Sequence, residues 1–306
     1  MTNKQVIGFI GLGFMGCPMA ANLRKAGYEL WVRGRSNRVP VDSLLAIGAQ
    51  EAASPKDMAE RCDIIHICLS NSPQIEAIFR GPDGILAGAR PGLIVIETST
   101  ADPASTTALA AELATKGGHF VDAPLGGTPV QAEAGQLSAM VGCDAAVFDR
   151  VRPVMEAWAA RITRVGPVGS GHKMKLLMNF ISLSYAALYS EALTLGAKTG
   201  ISPQTFREVI GPSRMGNGFF ETFMGYAVDR NRDAHKFTIA NAAKDMRYLN
   251  AMASDANVMN IMAGAAKHYF THVEALGHAE DYVPMLSDHV AALNGVDLAE
   301  AVRKGG

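Results

Sequence analysis

The sequence lacks what marks a nucleic-acid binder, a disulfide-stapled domain or a membrane span. Its 306 residues carry 28 Lys and Arg against 29 Asp and Glu, a formal net charge of −1, so no strong field draws a polyanion and nucleic acid is not expected as a partner. The four cysteines, Cys17, Cys62, Cys68 and Cys143, show no paired C-x-x-C spacing. That pattern suggests neither a zinc site nor a disulfide framework and fits the reduced thiols of a cytoplasmic protein. The longest apolar stretch, Leu176 to Leu195, is interrupted by Asn179, Ser182, Ser184, Ser190 and Glu191. These are costly in lipid, so the stretch reads as a buried helix and no membrane association is expected. The opening MTNKQVIGFIGLGFMG has a single lysine, glycines that break its apolar run and no small-residue cleavage site after it; it reads as a first strand, not a signal peptide. His66, His119 and His172 stand in no H-x-x-x-H and beside no carboxylate at ligand spacing. No metal is assigned, and His268 and His272, one turn apart, read as a solvated face.

What is present is an ordinary globular composition, 48% apolar and 19% charged. Single cores stop growing at roughly 250 to 300 residues, so two domains are expected. Short β-rich runs, Val6 to Ile10, Leu30 to Val32, Ile64 to Leu69, Leu93 to Glu97 and Phe120 to Ala123, each precede a turn and a longer segment. That rhythm predicts βαβ units and a mostly parallel, doubly wound sheet, and runs apolar on both parities predict strands covered on both faces. The pattern changes near residue 165. Met174 to Lys198 has no strong breaker until Gly196, and predicts a helix of roughly 35 Å suited to joining domains. Ser202 and Pro203 open another helix, and the remainder is rich in Ala, Met and Leu. The reading is therefore a dinucleotide-binding Rossmann domain over 1–165 and an all-α domain over 166–306, with disorder confined to the tail around Arg303 to Gly306.

The strongest motif is the loop Gly11-Leu12-Gly13-Phe14-Met15-Gly16, a G-x-G-x-x-G between a strand and a helix. Gly11 permits the tight turn, Gly13 lets the backbone approach a pyrophosphate, and Gly16 lets the helix pack close, its N-terminus facing the phosphates. After the second strand no acid stands ready for the ribose hydroxyls of NAD. The sequence offers Arg33, Arg35, Ser36 and Arg38 instead, suited to a 2′-phosphate, with Arg35 and Ser36 preferred over Arg33. NADP(H) is expected over NAD(H), which remains possible; the alternative is a solvated basic turn. Ser99 and Thr100 follow the Leu93 to Glu97 strand at the carboxyl edge, where ligands gather, and Asp102 is the better N-cap for a helix at Pro103. Lys175 and Asn179 share a helical face four residues apart, though a lysine near a helix start is ordinarily a snorkelling surface residue.

With the loop, the basic turn, Ser99-Thr100-Ala101-Asp102-Pro103, Asp122-Ala123-Pro124, Gly169-x-Gly171-x-x-x-Lys175-x-x-x-Asn179 and Lys244-Asp245 in order, nearly the whole chain resembles the β-hydroxyacid dehydrogenases. The resemblance implies an N-terminal Rossmann domain, a long interdomain helix, an all-α C-terminal domain and homodimers or homotetramers. It implies that Lys175 donates or accepts the proton, in an apolar setting that lowers its pKa, and that Asn179 orients the reacting oxygen. Leu69, Ser70 and Asn71 match a cofactor-contacting L-P-N loop with Ser70 in place of proline, and Lys244 closes over cofactor or substrate. Gly126, Gly127 and Thr128 stand where the family holds the substrate carboxylate on a serine and glycine amides; Gly126 replaces that serine. The implied substrate is a small β-hydroxy acid or its semialdehyde, and 211–224 is the expected wall of the pocket for its tail. An imine reductase on the same scaffold and a non-catalytic dinucleotide-binding module are the alternatives.

Overall fold

The first of two compact units runs to Lys175 and the second begins at Leu176, ten residues beyond the 165/166 boundary read from sequence. The computed structural model describes residues 5–305; the first four residues of the opening stretch and Gly306 of the tail lie outside the described residues.

Among the described residues the first unit holds nine strands, β1 Val6–Ile10, β2 Glu29–Arg33, β3 Gln50–Glu51, β4 Ile64–Ile67, β5 Ile94–Glu97, β6 His119–Asp122, β7 Leu125–Gly126, β8 Leu137–Gly142 and β9 Ala159–Gly166. Around them lie α1 Gly16–Lys25, α2 Val39–Ala46, α3 Pro55–Arg61, α4 Ser72–Phe79, α5 Ile85–Gly88, α6 Pro103–Ala114, α7 Pro129–Glu133 and α8 Ala145–Met155. The order is β3-β2-β1-β4-β5-β6-β8-β7, with β9 on β8. Pairing is parallel from β3 through β6, β8 runs antiparallel to β6 and β7, and β9 is parallel to β8.

Alternate residues of the central strands serve opposite cores. Ile7, Phe9, Ile64, Ile94 and Ile96 pack into one cluster, while Ile10, Ile65, Ile67 and Val95 pack into another. Both parities are therefore apolar, as a doubly covered parallel strand requires. The five strands read from sequence are present. The four others lack that signature: β9 leaves Ala160, Arg161, Thr163 and Arg164 exposed and buries Ala159 alone, as in a strand that is largely wetted.

The long helix, α9, spans Ser170–Thr199, 30 residues and about 45 Å, so the sequence reading shortens it by its first turn. Beyond it come α10 Pro203–Ile210, α11 Gly218–Ala227, α12 Ile239–Asp255, α13 Ile261–Ala275, α14 Leu286–Leu293 and α15 Leu298–Lys304. Helix α15 carries order through Lys304, into the expected tail. Among the described residues the second unit holds no strand, and one core gathers Leu183, Phe220, Phe223, Met246 and Phe270. Helix α9 is long and apolar enough to cross a membrane, yet only 39% of its apolar window is buried. Its polar interruptions divide: Asn179 and Ser190 are buried, Ser190 donating to the Ala186 carbonyl at 2.7 Å, while Glu191 is exposed. The apolar exposure differs from the buried helix read from sequence.

Candidate active site

The glycine loop joins β1 to α1 along the carboxyl edge of the parallel strands. Gly11 has φ +97°, and a β-carbon there would overlap the Cys68 carbonyl at the end of β4. A β-carbon on Gly16 would overlap the Gly11 carbonyl, whereas one on Gly13 would meet nothing within 4 Å. Two of the glycines thus permit contacts within the protein, and the third leaves open space before the helix. The first turn of α1 contains no acid, so nothing offsets its positive end. An open, anion-accepting turn fits a dinucleotide pyrophosphate. Leu12 is buried, and Phe14 is 89% exposed.

At the end of β2 the arginines divide. Arg33 donates to the Ala52 and Ala53 carbonyls at 3.0 and 2.5 Å. Arg38 pairs with Glu51 at 2.6 Å and Asp42 at 3.1 Å. Arg35 and Ser36 are exposed, with no partner among the described residues in hydrogen bonds or ion pairs. The side chains available to a further anion are therefore Arg35 and Ser36, while Arg33 braces backbone.

Past β4, Ser70 is exposed and Asn71 caps α4, its Oδ1 accepting from Gln74 at 3.0 Å. The Leu69 N–H donates to Ser99 Oγ at 2.8 Å. Ser99 is 5% exposed, and its own N–H donates to Glu97 Oε1 at 2.7 Å. Its oxygen thus ties two strand ends together, a structural duty beside the expected substrate contact. Thr100 is half-buried, and Asp102 caps α6 through Ala104 N–H at 3.0 Å.

Gly126 lies in β7 opposite Ser138, whose hydroxyl donates to the Gly126 carbonyl at 3.2 Å. Gly127 has φ +127°. Thr128 is the N-cap of α7, and its N–H donates to Gln131 Oε1 at 2.8 Å. Of the stretch 126–128, that amide is engaged in capping and is not offered to a carboxylate.

The start of α9 is bound to this same edge. Asp122, fully buried at the end of β6, accepts from the N–H groups of Gly169 at 2.7 Å and His172 at 2.9 Å. A β-carbon on Gly171 would overlap the Met140 carbonyl, so the G-x-G pattern permits the helix to begin against the sheet. His172 is wholly buried; Nδ1 meets Thr106 Oγ1 at 2.7 Å and Nε2 lies 2.7 Å from Glu97 Oε2, close but poorly aligned for a linear bond. The Thr106 hydroxyl already donates to the Asp102 carbonyl. Nδ1 must then carry a proton, and a proton on Nε2 is what a carboxylate at that distance favours. Burial alone would lower the imidazole pKa; the charge and contact of Glu97, with Asp122, outweigh it and raise it above the ordinary value. Burial raises Asp122, partly offset by His172 and the two backbone donors.

Lys175, one turn beyond His172, is half-buried, and its neighbours Met174, Leu177 and Met178 are 43%, 44% and 40% exposed. The apolar residues that flank it in sequence are therefore partly exposed.

In the helical unit, Asn179 is 6% exposed, and its Nδ2 donates to Asp245 Oδ2 at 2.6 Å. Lys244 reaches Asp245 Oδ1 at 3.2 Å, with Asp245 only 2% exposed, so the Lys244–Asp245 pair is no surface salt bridge. In 211–224, Phe220, Phe223 and Met224 are fully buried in the unit's own core, which leaves Met215 and Phe219 as its accessible apolar groups. Linear spacing offers no metal set, yet the turns of this unit bring His278, Asp281 and His289 together.

The family model described as the NAD binding domain of 6-phosphogluconate dehydrogenase matches residues 6–166, and that described as NAD-binding of NADP-dependent 3-hydroxyisobutyrate dehydrogenase matches 169–288. The chain belongs to the β-hydroxyacid dehydrogenase family. It is 34% identical to 2-(hydroxymethyl)glutarate dehydrogenase of Eubacterium barkeri over 277 residues, 90% of this chain and 92% of that one. With 2-hydroxy-3-oxopropionate reductase of Escherichia coli it shares 37% over 205 residues, 67% and 69% of the two chains. A solved 3-hydroxyisobutyrate dehydrogenase of Mycobacterium tuberculosis, with L-serine, superposes with a TM-score of 0.83 at 25% identity, covering 94% of this chain and 99% of the other.

As a β-hydroxyacid dehydrogenase the chain is an NAD(P)-dependent oxidoreductase, and two positioning groups escape a reading of its sequence. His172 sits inside the glycine motif, but its partner Glu97 lies 75 positions earlier, and only the sheet brings them within reach. The sequence shows Asp245 only as the neighbour of Lys244; its hold on the Asn179 amide follows from the packing of α12 on α9.

Proposed function

We propose that this dehydrogenase prefers NADP(H) and interconverts a small β-hydroxy acid and its semialdehyde, with Lys175 as the proton donor and acceptor. Support comes from the Asp122 carboxylate, which holds the first N–H groups of α9 at the carboxyl end of β6 and so begins the lysine-bearing helix at the sheet edge where ligands gather. A bound nicotinamide supplies or takes the hydride. Lys175 gives its proton to the carbonyl oxygen during reduction and recovers it during oxidation, and its positive charge stabilises alkoxide character. Asn179, one turn along α9, orients that oxygen, and Asp245 holds its amide in one rotamer. The substrate carboxylate is taken by Ser99 and by backbone amides of Gly126 and Gly127. Thr128 contributes at most its hydroxyl, since its amide is spent. Cofactor contacts fall to the glycine loop, Leu69, Ser70, Asn71, Thr100 and Lys244. Arg35 and Ser36 take the 2′-phosphate, which Arg33 cannot reach without leaving its two carbonyls.

Lys175→Ala should lower turnover by about 10²- to 10⁴-fold, the range for a positioned proton-transfer group, with the Kd for NADPH changed little by fluorescence titration. Retention of most of the turnover would remove Lys175 from the role. Arg35→Asp should move the NADPH-over-NADH ratio of kcat/KM about tenfold or more toward NADH, one charge-assisted phosphate contact being worth at least that. An unchanged ratio would return Arg35 to the solvated turn. A panel of hydroxy acids, semialdehydes and cyclic imines followed by NADPH absorbance separates carbonyl from imine reduction.

The exposed residues Met178, Ile181, Tyr185, Leu188 and Leu195, 40%, 54%, 38%, 48% and 64% exposed, recur at spacings of three, four and seven along α9. That is the seam of one helix against another, and it favours a homodimer or higher homo-oligomer. A monomeric mass by sedimentation would exclude it.

A further inference from the structure

We propose that His278, Asp281 and His289 form a site for a divalent transition-metal ion, Zn2+ with water as the fourth ligand, that staples the turn after α13 to α14. The site is independent of the hydride chemistry, so neither reading stands or falls with the other.

The geometry is that of donors arranged around an ion. His289 Nε2 lies 2.9 Å from Asp281 Oδ2, and His278 Nδ1 lies 3.3 Å from the same oxygen. One ligand atom from each residue falls within 4.8 Å of the others. Zinc bonds of about 2.0 to 2.2 Å to nitrogen and oxygen, at tetrahedral angles, place neighbouring donors about 3.3 Å apart. The imidazoles converge at 4.5 Å between centroids and 52° between planes, so neither ring lies flat over the other and blocks its nitrogen. Arg232 stands 3.8 Å from the remaining oxygen, Asp281 Oδ1, as an outer partner that would orient a carboxylate whose Oδ2 binds metal.

The turn that carries the ligands is held by its backbone. Gly277 takes φ +92° and reverses the chain after α13. The His278 N–H then donates to the Val273 carbonyl at 3.2 Å, and the Asp281 N–H to the His278 carbonyl at 3.2 Å. The Asp281 and Ala279 carbonyls accept from Ile239 N–H at 2.7 Å and Ala240 N–H at 2.9 Å, at the start of α12. His289 is presented by α14. Two ligands thus sit on a pinned turn and the third on a regular helix. His278 is half exposed, and His289 and Asp281 are partly so, which leaves an entry path and room for water. Two neutral imidazoles and one carboxylate match the borderline character of zinc better than that of magnesium or calcium.

The test uses the full-length, untagged chain, stripped with EDTA and desalted, then titrated with ZnCl2 by calorimetry at pH 7.5. The expected result is one Zn2+ per chain, a raised Tm, and binding that fades as pH falls through the imidazole range. His289→Ala and His278→Gln should each weaken binding about 100-fold or more, more than the 10- to 100-fold seen for outer partners, while leaving the apo Tm near that of the parent. Asp281→Asn should weaken it less. Absence of saturable binding, or equal binding by parent and both histidine variants, would overturn the site and leave two imidazoles that share one carboxylate through hydrogen bonds.

Discussion

Two wholly buried histidines of the first unit show how differently the interior of the sheet and its carboxyl edge treat the same side chain. His66, in the middle of β4, stacks on Phe9 at 5.5 Å and 3° and meets the edge of Trp158 at 6.0 Å and 85°. It accepts from the Trp158 indole at 3.4 Å, and its Nδ1 has no partner among the described residues. Burial lowers its pKa to about 3. His172 lies among Glu97, Asp122 and Thr106, and its pKa is raised although burial opposes it. The sheet interior expels charge and the edge collects it. An edge that already holds ions is the place where a further charged group meets less of the penalty imposed by the apolar interior.

The largest expected break in this contrast comes from His172→Leu, which leaves Glu97 and Asp122 buried without their cation. Removing one member of a buried ionic group costs about 3 to 5 kcal/mol, whereas His66→Phe, a roughly volume-conserving change against aromatic neighbours, should cost less than about 1.5 kcal/mol. Urea denaturation at pH 6.5 measures both, and equal losses would show the two sites to be alike. Next, Gly11→Ala should destabilise by about 1 to 3 kcal/mol through its left-handed backbone and its collision with the Cys68 carbonyl. Gly13→Ala, with open space around it, should change stability by less than about 0.5 kcal/mol and act on the Kd for NADPH alone.

The pH dependence sharpens the comparison because the two histidines have opposite signs. The unfolded state protonates His66 near 6.5 while the folded state resists to about 3, so stability falls as pH drops below 6.5, by about 1.4 kcal/mol per unit. His172 is raised in the folded state; its contribution is complete below 6.5 and is lost as pH rises through the folded value. His66→Phe should flatten the acid limb, and His172→Gln the alkaline one. Limbs unmoved by the variants would place the titration elsewhere.

The sequence discloses the central strands because each must be apolar on both faces, and it discloses the glycine loop because a tight turn and a helix start leave few residue choices. It is less informative where partners are distant in the chain. Glu97 with His172, and Asn179 with Asp245, are joined only by folding. The short β3 and β7 and the wetted β9 carry too little periodicity to stand out. The division of labour among Arg33, Arg35 and Arg38 is likewise invisible in the string, since it depends on which carbonyls and carboxylates the turn brings close. For the metal ligands, His289 stands eight positions beyond Asp281, and a 3-10 turn, Val283–Met285, closes the gap.

The bare α-carbon of Gly171 has a mechanical consequence. With the Met140 and Asp122 carbonyls standing where a side chain would begin, position 171 acts as a seat against which the first turn of α9 is indexed. Any larger residue would lift that end off its seat, and His172 and Lys175 would be displaced with it. The aim of the Lys175 nitrogen is therefore set by a place where there is no atom to spare.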